Sequence, residues 1–171
     1  MTLKSSVTVE QGAENTSSVL ASSAADRQQR VVSEVAQLVL FRGLPGAGKT
    51  TMAKVLEAIG YKHYEADMYF VVDGVYHYDS RRKKDAHEWC KLMTRQALCL
   101  GERVVVSNTF TMRTYIQPYL NMGAESIQIV EADGKWQSVH HLSAKTVRRM
   151  ASQWEALPSS ITGVNLPLSG R

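Results

Sequence analysis

Cysteine is scarce. Cys90 and Cys99 are the only two in 171 residues, and no further Cys or His stands near them at metal-ligand spacing. A disulfide scaffold is excluded and no zinc site is indicated. Both read as free thiols filling a core from one helix, without facing each other, in a reducing compartment such as the cytoplasm. Long apolar runs are missing too. Nothing approaches the roughly 20 residues that a membrane crossing needs, so no membrane partner is expected. No basic start followed by an apolar block marks a secretory signal. An acidic excess is absent: 20 Lys and Arg against 16 Asp and Glu leave a net charge of +4 and a pI of about 9.1. Such a balance suits a polyanion, a nucleotide or a nucleic acid, and is equally common in proteins that bind neither. With hydrophobic residues at 44% and charged residues at 21%, both near globular averages, a wholly disordered chain is excluded. The length suits one domain.

The two ends differ from the middle. Residues 1–36 are rich in Ser and Ala, carry no aromatic side chain and hold few large apolar ones. They cannot bury enough surface to offset their ordering entropy, and read as a flexible extension. Glu10, Glu14 and Asp26 argue against a mitochondrial presequence; a linker, a targeting tail and a secreted-effector signal stay open. Residues 158–171, with Pro158, Gly163, Pro167 and Gly170, read as an irregular tail. The domain proper is expected over 37–157.

Within it, strands and helices alternate. Leu38–Phe41 reads as a buried strand. The periodicity predicts a helix from Lys49 to Ile59, stopped by Gly60. Lys62–Ala66 reads as a strand, and Phe70–Tyr78 as a hairpin around Asp73-Gly74. A long helix starts at Asp79 or Ser80 and runs to about Leu100, with Ala86, Cys90, Met93, Ala97 and Leu100 on one apolar face. Arg103–Val106 and Ile127–Val130 are further strands. Met112–Met122 reads as a helix with a kink or late start at Pro118, and Ala144–Leu157 as a last helix capped by Ser143. This order implies an α/β fold with a parallel sheet covered on both faces. Its ligands should bind beyond the carboxyl ends of the strands.

The motif that carries chemistry is Gly43-Leu44-Pro45-Gly46-Ala47-Gly48-Lys49-Thr50, followed by Thr51. It satisfies the phosphate-loop pattern G-x-x-x-x-G-K-[ST] in full, between a strand and a helix. Glycines let successive N–H groups turn toward phosphate oxygens, and the helix N-terminus adds partial positive charge. Lys49 would bridge the β- and γ-phosphates of ATP, and the Thr50 hydroxyl would ligate Mg²⁺. Asp67 falls where the second strand should end. A carboxylate there can take a proton from an attacking hydroxyl or hold Mg²⁺ through water; a surface helix cap is the plain alternative.

The blocks LVLFRGLPGAGKTTMA, EADMYF, DGVYHYD, AHEWC, VVVSNTFT and VEADGKW, in that order, resemble the polynucleotide-kinase-like P-loop kinases. That family includes phage polynucleotide 5′-hydroxyl kinases and related AAA-type ATP-binding kinase domains. The resemblance covers roughly residues 38–157. It implies a three-layer P-loop NTPase of adenylate-kinase-like fold, with transfer of the ATP γ-phosphate to a hydroxyl, typically the 5′ end of a nucleic acid. It implies Asp67 as general base. Asn108 at the end of the third strand and Arg113 just after it, at the sheet's carboxyl edge, are expected near the substrate, where Arg113 could contact a phosphate.

Departures are visible. The third strand ends in Ser107-Asn108-Thr109-Phe110, without a Walker-B-type carboxylate, so Mg²⁺ is expected on Thr50, Asp67, phosphates and water. Phe110 replaces an amide-bearing residue, and Phe70 stands where phage relatives carry arginine. The lid is shortened: Trp136 runs through His140-His141 almost directly into the last helix, leaving Arg148 or Arg149 to steady the transferring group. Arg81-Arg82-Lys83-Lys84 is either a solvated face or a polyanion contact. Two other readings stay open: a kinase for a small metabolite or nucleoside, and a catalytically weak ATP-binding regulatory module.

Overall fold

The computed structural model describes residues 36–136 and 142–158. The extension up to residue 35, the tail from residue 159 and the lid stretch 137–141 with His140 and His141 lie outside the described residues.

Four parallel strands form the central sheet: β1 (Leu38–Arg42), β2 (Lys62–Tyr64), β5 (Val104–Asn108) and β6 (Ile127–Glu131), in the order β2-β5-β1-β6. Leu38 pairs with Val104 on one side and Ile127 on the other. Every residue of β1 is buried, as expected of a central parallel strand with apolar layers on both faces. The pleat separates those layers. Leu38, Leu40, Val104 and Val106 join one core with Ala86, Cys90 and Ala97 from α2 (Lys83–Cys99) and Ile116 and Tyr119 from α3 (Arg113–Leu120). Val39, Phe41 and Val105 join the other with Ala53 from α1 (Lys49–Ala58). The three-layer α/β architecture expected from the alternation is therefore present. Among the described residues no helix is long and apolar enough to cross a membrane.

Asp73-Gly74 makes the expected hairpin between β3 (Val71–Val72) and β4 (Val75–Tyr76). Both turn residues have positive φ, 50° and 79°, as a type I′ turn requires. Asp79 caps the turn before α2 by accepting from the Arg81 N–H at 2.9 Å.

Several boundaries and faces differ from expectation. β2 stops at Tyr64, because the chain turns into a 3₁₀ segment, Ala66–Phe70, whose first N–H donates to Asn108 Oδ1 at 3.0 Å. α3 starts at Arg113 and runs through Pro118 without a late start. On α2, Leu100 is exposed and Thr94 is buried in its place, its hydroxyl donating to the Cys90 carbonyl. Cys90 is buried, but Cys99 is exposed. Nine residues at roughly 100° each put the two on opposite sides of the helix.

The last helix, α4 (Ala144–Ser152), is capped by Ser143 as expected but ends five residues before Leu157. The cause is tertiary. The Glu155 N–H donates to the Thr111 carbonyl and the Glu155 carboxylate accepts from the Arg113 N–H, both at 2.8 Å. The Glu155 carbonyl accepts from Arg42 at 2.8 Å.

Candidate active site at the phosphate loop

β1 delivers the chain into the loop at Gly43. A side chain there would meet the Ala132 carbonyl oxygen at 2.6 Å, so the approach of the segment after β6 demands glycine. Gly46 and Gly48 take φ of 81° and 87°, a left-handed backbone that glycine adopts without penalty. Ala47 N–H donates back to the Leu44 carbonyl at 3.0 Å, closing the loop. Gly48 is the N-cap of α1 and supplies no side-chain cap, so the first-turn N–H groups face the loop's concavity. Lys49 folds over it, Nζ donating to the Leu44 carbonyl at 3.0 Å. Burial pushes the lysine pKa down while Glu65 and Asp67 pull it up. Thr50 and Thr51 are exposed on the first turn.

Asp67 lies in the 3₁₀ turn beyond β2, near enough to Lys49 to act on its charge. Its Oδ1 accepts from the Tyr76 hydroxyl at 3.4 Å. Burial and this carboxylate push the Tyr76 pKa up to about 12. Asn108 is buried between Ala66 N–H and the Cys90 sulfur, where it fixes the turn that presents Asp67. Arg113 donates from Nε to the Ala156 carbonyl at 3.0 Å. Arg148 and Arg149 are exposed on α4, and among the described residues neither guanidinium makes a hydrogen bond or ion pair. In the basic cluster, Arg81 pairs with Asp79, while Arg82 contacts Asp85 and the Tyr69 hydroxyl. Burial lowers the His87 pKa, with Lys83 adding to the effect.

Glu65, His63, Trp136 and Arg42 were not among the expected site residues. Glu65 is almost covered, its side chain 12% exposed. Burial pushes its pKa up, yet contacts with His63, Ser107 and Thr50 outweigh this and hold it below the ordinary carboxylate value. His63 is buried with Nε2 2.8 Å from Ser107 Oγ. Strand alternation puts His63 and Glu65 on one side, which is the signal that could have found them. The Trp136 backbone N–H donates to the Gly46 carbonyl at 2.9 Å, and its ring lies against Gly48.

Arg42 is wholly buried beneath the loop. It donates to Glu131, to the Phe110, Thr111 and Glu155 carbonyls, and stacks 3.8 Å from the Trp154 ring centroid. Phe110 has φ of 47°, a strained value for an aromatic residue. The Phe110 and Thr111 carbonyls both reach Arg42, and the Phe110 ring packs edge-on against Tyr119.

The oxygen donors at Thr50, Glu65 and Asp67 suit a hard cation such as Mg²⁺. Among the described residues no three His, Cys, Asp or Glu side chains converge into a metal cage, so a cation here needs phosphate oxygens as well.

The parallel sheet in the order β2-β5-β1-β6, with an intact phosphate loop between β1 and α1, is a P-loop NTPase fold of the kinase type, a nucleotide-binding architecture. A family model described as an AAA domain matches residues 38–133. That is more than half of the chain, and the chain belongs to this family. Human NEDD4-binding protein 2 is 26% identical over 137 residues, a stretch that covers 71% of this chain and 8% of that protein. The chain thus spans less than a tenth of that relative. Among solved structures, a sugar kinase from Janibacter sp. superposes with a TM-score of 0.57 at 19% identity, over 75% of this chain and 83% of the other. A gluconokinase from Sinorhizobium meliloti gives 0.54 at 17%, over 78% and 83%. These likenesses establish the fold.

Proposed function

We propose that this chain transfers the γ-phosphoryl group of ATP to a hydroxyl, the 5′-OH of a polynucleotide, with residues 37–157 as the kinase domain between two flanking segments. The observation that carries the acceptor reading is an exposed tyrosine pair beside the candidate base. Tyr76 and Tyr78 stack with ring centroids 6.4 Å apart and planes 16° apart, and the Tyr76 hydroxyl touches Asp67. Such a platform suits a nucleobase, since any base offers a face for stacking. Lys83 and Lys84, exposed at the start of α2, add charge for the backbone of a strand.

In this reading the N–H groups of Gly46, Gly48, Lys49, Thr50 and Thr51 hold the β- and γ-phosphates, those of Gly43 and Ala47 being engaged within the fold, and Lys49 leaves the Leu44 carbonyl to bridge them. The acceptor oxygen forms its bond to phosphorus as the bond to the β-phosphate oxygen breaks, and the acceptor proton passes to Asp67. Thr50 and the neighbouring carboxylates would hold Mg²⁺, which would supply positive charge against the transferring phosphates. Arg148 or Arg149 steadies the equatorial oxygens from α4, while Asn108 and Arg113 support the acceptor side.

Transfer from labelled ATP to a panel of 5′-hydroxyl oligonucleotides, nucleosides and small sugars tests the reading. Label should appear on the oligonucleotides and vanish when their 5′ end carries phosphate. Tyr76→Ala should raise the acceptor KM. Label on a sugar or nucleoside alone would make this a small-molecule kinase. ATP binding without transfer to any acceptor would favour a regulatory module.

A further inference from the structure

We propose that Glu65 is the carboxylate that holds the Mg²⁺ of bound Mg·ATP, acting through water together with the Thr50 hydroxyl, in place of the acidic residue that β5 lacks. The proposal rests on the nucleotide reading above. Glu65 follows β2 in an extended conformation, φ −132° and ψ 146°, and its side chain interacts with Thr50 on the first turn of α1. Its Oε1 is buried and completes no hydrogen bond among the described residues, although His63 Nε2 lies 2.9 Å away. That nitrogen also meets Ser107 Oγ at 2.8 Å, so Glu65 shares its donor with a second partner. A nearly covered carboxylate whose nearest donor is shared stays short of the donors its charge calls for, and a cation's water shell supplies them.

The end of β5 offers no alternative. Ser107 is engaged by His63 and Asn108 by Ala66 and Cys90. Mg²⁺ commonly takes one or two carboxylates, phosphate oxygens and several waters. Asp67, reached by the Tyr76 hydroxyl, faces the acceptor platform instead. The two carboxylates divide the work, Glu65 toward the cation and Asp67 toward the hydroxyl.

Calorimetric titration of ATP in excess Mg²⁺ and in EDTA tests this without turnover. In the wild type, Mg²⁺ should tighten ATP binding. In Glu65→Gln that gain should shrink by about tenfold or more, the range typical of groups that act on a metal through its ligands. Its metal-free affinity should stay equal or become tighter, and Asp67→Asn should keep most of the Mg²⁺ gain. An undiminished gain in Glu65→Gln, or its loss in Asp67→Asn alone, would overturn the assignment while leaving nucleotide binding intact. A wild type that binds no ATP under either condition would overturn the nucleotide reading and this one with it. Should Glu65→Gln fail to fold, anomalous scattering from Mn²⁺ soaked with a non-hydrolysable ATP analogue into the wild type decides. The Glu65 carboxylate should lie nearer the ion than that of Asp67, and the reverse order would refute the proposal.

Discussion

Arg42→Met should destabilise the fold by about 3–5 kcal/mol, the cost of removing one partner of a buried ion pair. Arg42 is 0% exposed. It makes four hydrogen bonds, at 2.8 Å to Glu131 Oε1 and to the Glu155 carbonyl, 3.1 Å to Phe110 and 3.3 Å to Thr111. At about 1.5–3 kcal/mol per bond to a charged group, four would give twice the expected loss. Burying the guanidinium is itself costly, since burial pushes its pKa down against the pull of Glu131 and Glu155. The Glu131 side chain is 35% exposed and regains water once its partner is gone. Both corrections lower the figure into the stated range. Methionine keeps much of the volume and the contact with Trp154, so the loss reports the polar network. Urea unfolding should show a lower midpoint at unchanged slope. Adding Glu131→Gln to the variant should recover about 1 kcal/mol by removing an uncompensated charge. A loss below about 1 kcal/mol would refute the view that this residue ties the loop to the segment after α4.

Further outcomes follow from the site. Nucleotide binding should change the tryptophan emission through Trp136, whose N–H and ring lie on Gly46 and Gly48; Trp136→Phe should abolish the change, and its survival from Trp89 and Trp154 alone would refute the assignment. Of Arg148→Ala and Arg149→Ala, one should lose most activity with ATP binding intact and the other should be nearly silent, because neighbours on a helix point about 100° apart; two silent variants would direct attention to Arg113. Apparent acceptor affinity should fall steeply with salt, with a shallower slope after neutralising Lys83 and Lys84; an affinity flat in salt would point to an uncharged small molecule.

What was legible in the sequence was local. The phosphate loop, the Asp73-Gly74 turn and the Ser143 cap each declare themselves within a few residues, because glycine conformations and capping hydroxyls act over one turn. The parallel sheet followed from the alternation of elements. What was missed depends on distant partners. Arg42 looks like the polar end of an apolar run until Glu155, 113 residues away, is brought over it. The same contact unwinds 153–157, which carries no helix breaker before Pro158. Glu65 stands two residues before Asp67, but nothing local in the sequence shows which partners its side chain meets. Only its interactions with Ser107 and Thr50 reveal a second acid at the site.

Binding and turnover measured side by side test the central claim most directly. Wild type, Lys49→Ala and Asp67→Asn are titrated with Mg·ATP and assayed for transfer to a 5′-hydroxyl oligonucleotide. Lys49→Ala should lose more than about 2 kcal/mol of transition-state stabilisation, because it removes the charge aimed at the transferring phosphates. Asp67→Asn should bind ATP like the wild type and turn over roughly 100-fold more slowly or worse. Wild-type turnover in Asp67→Asn, or ATP affinity unchanged in a Gly48→Val, Lys49→Ala double variant, would contradict the account.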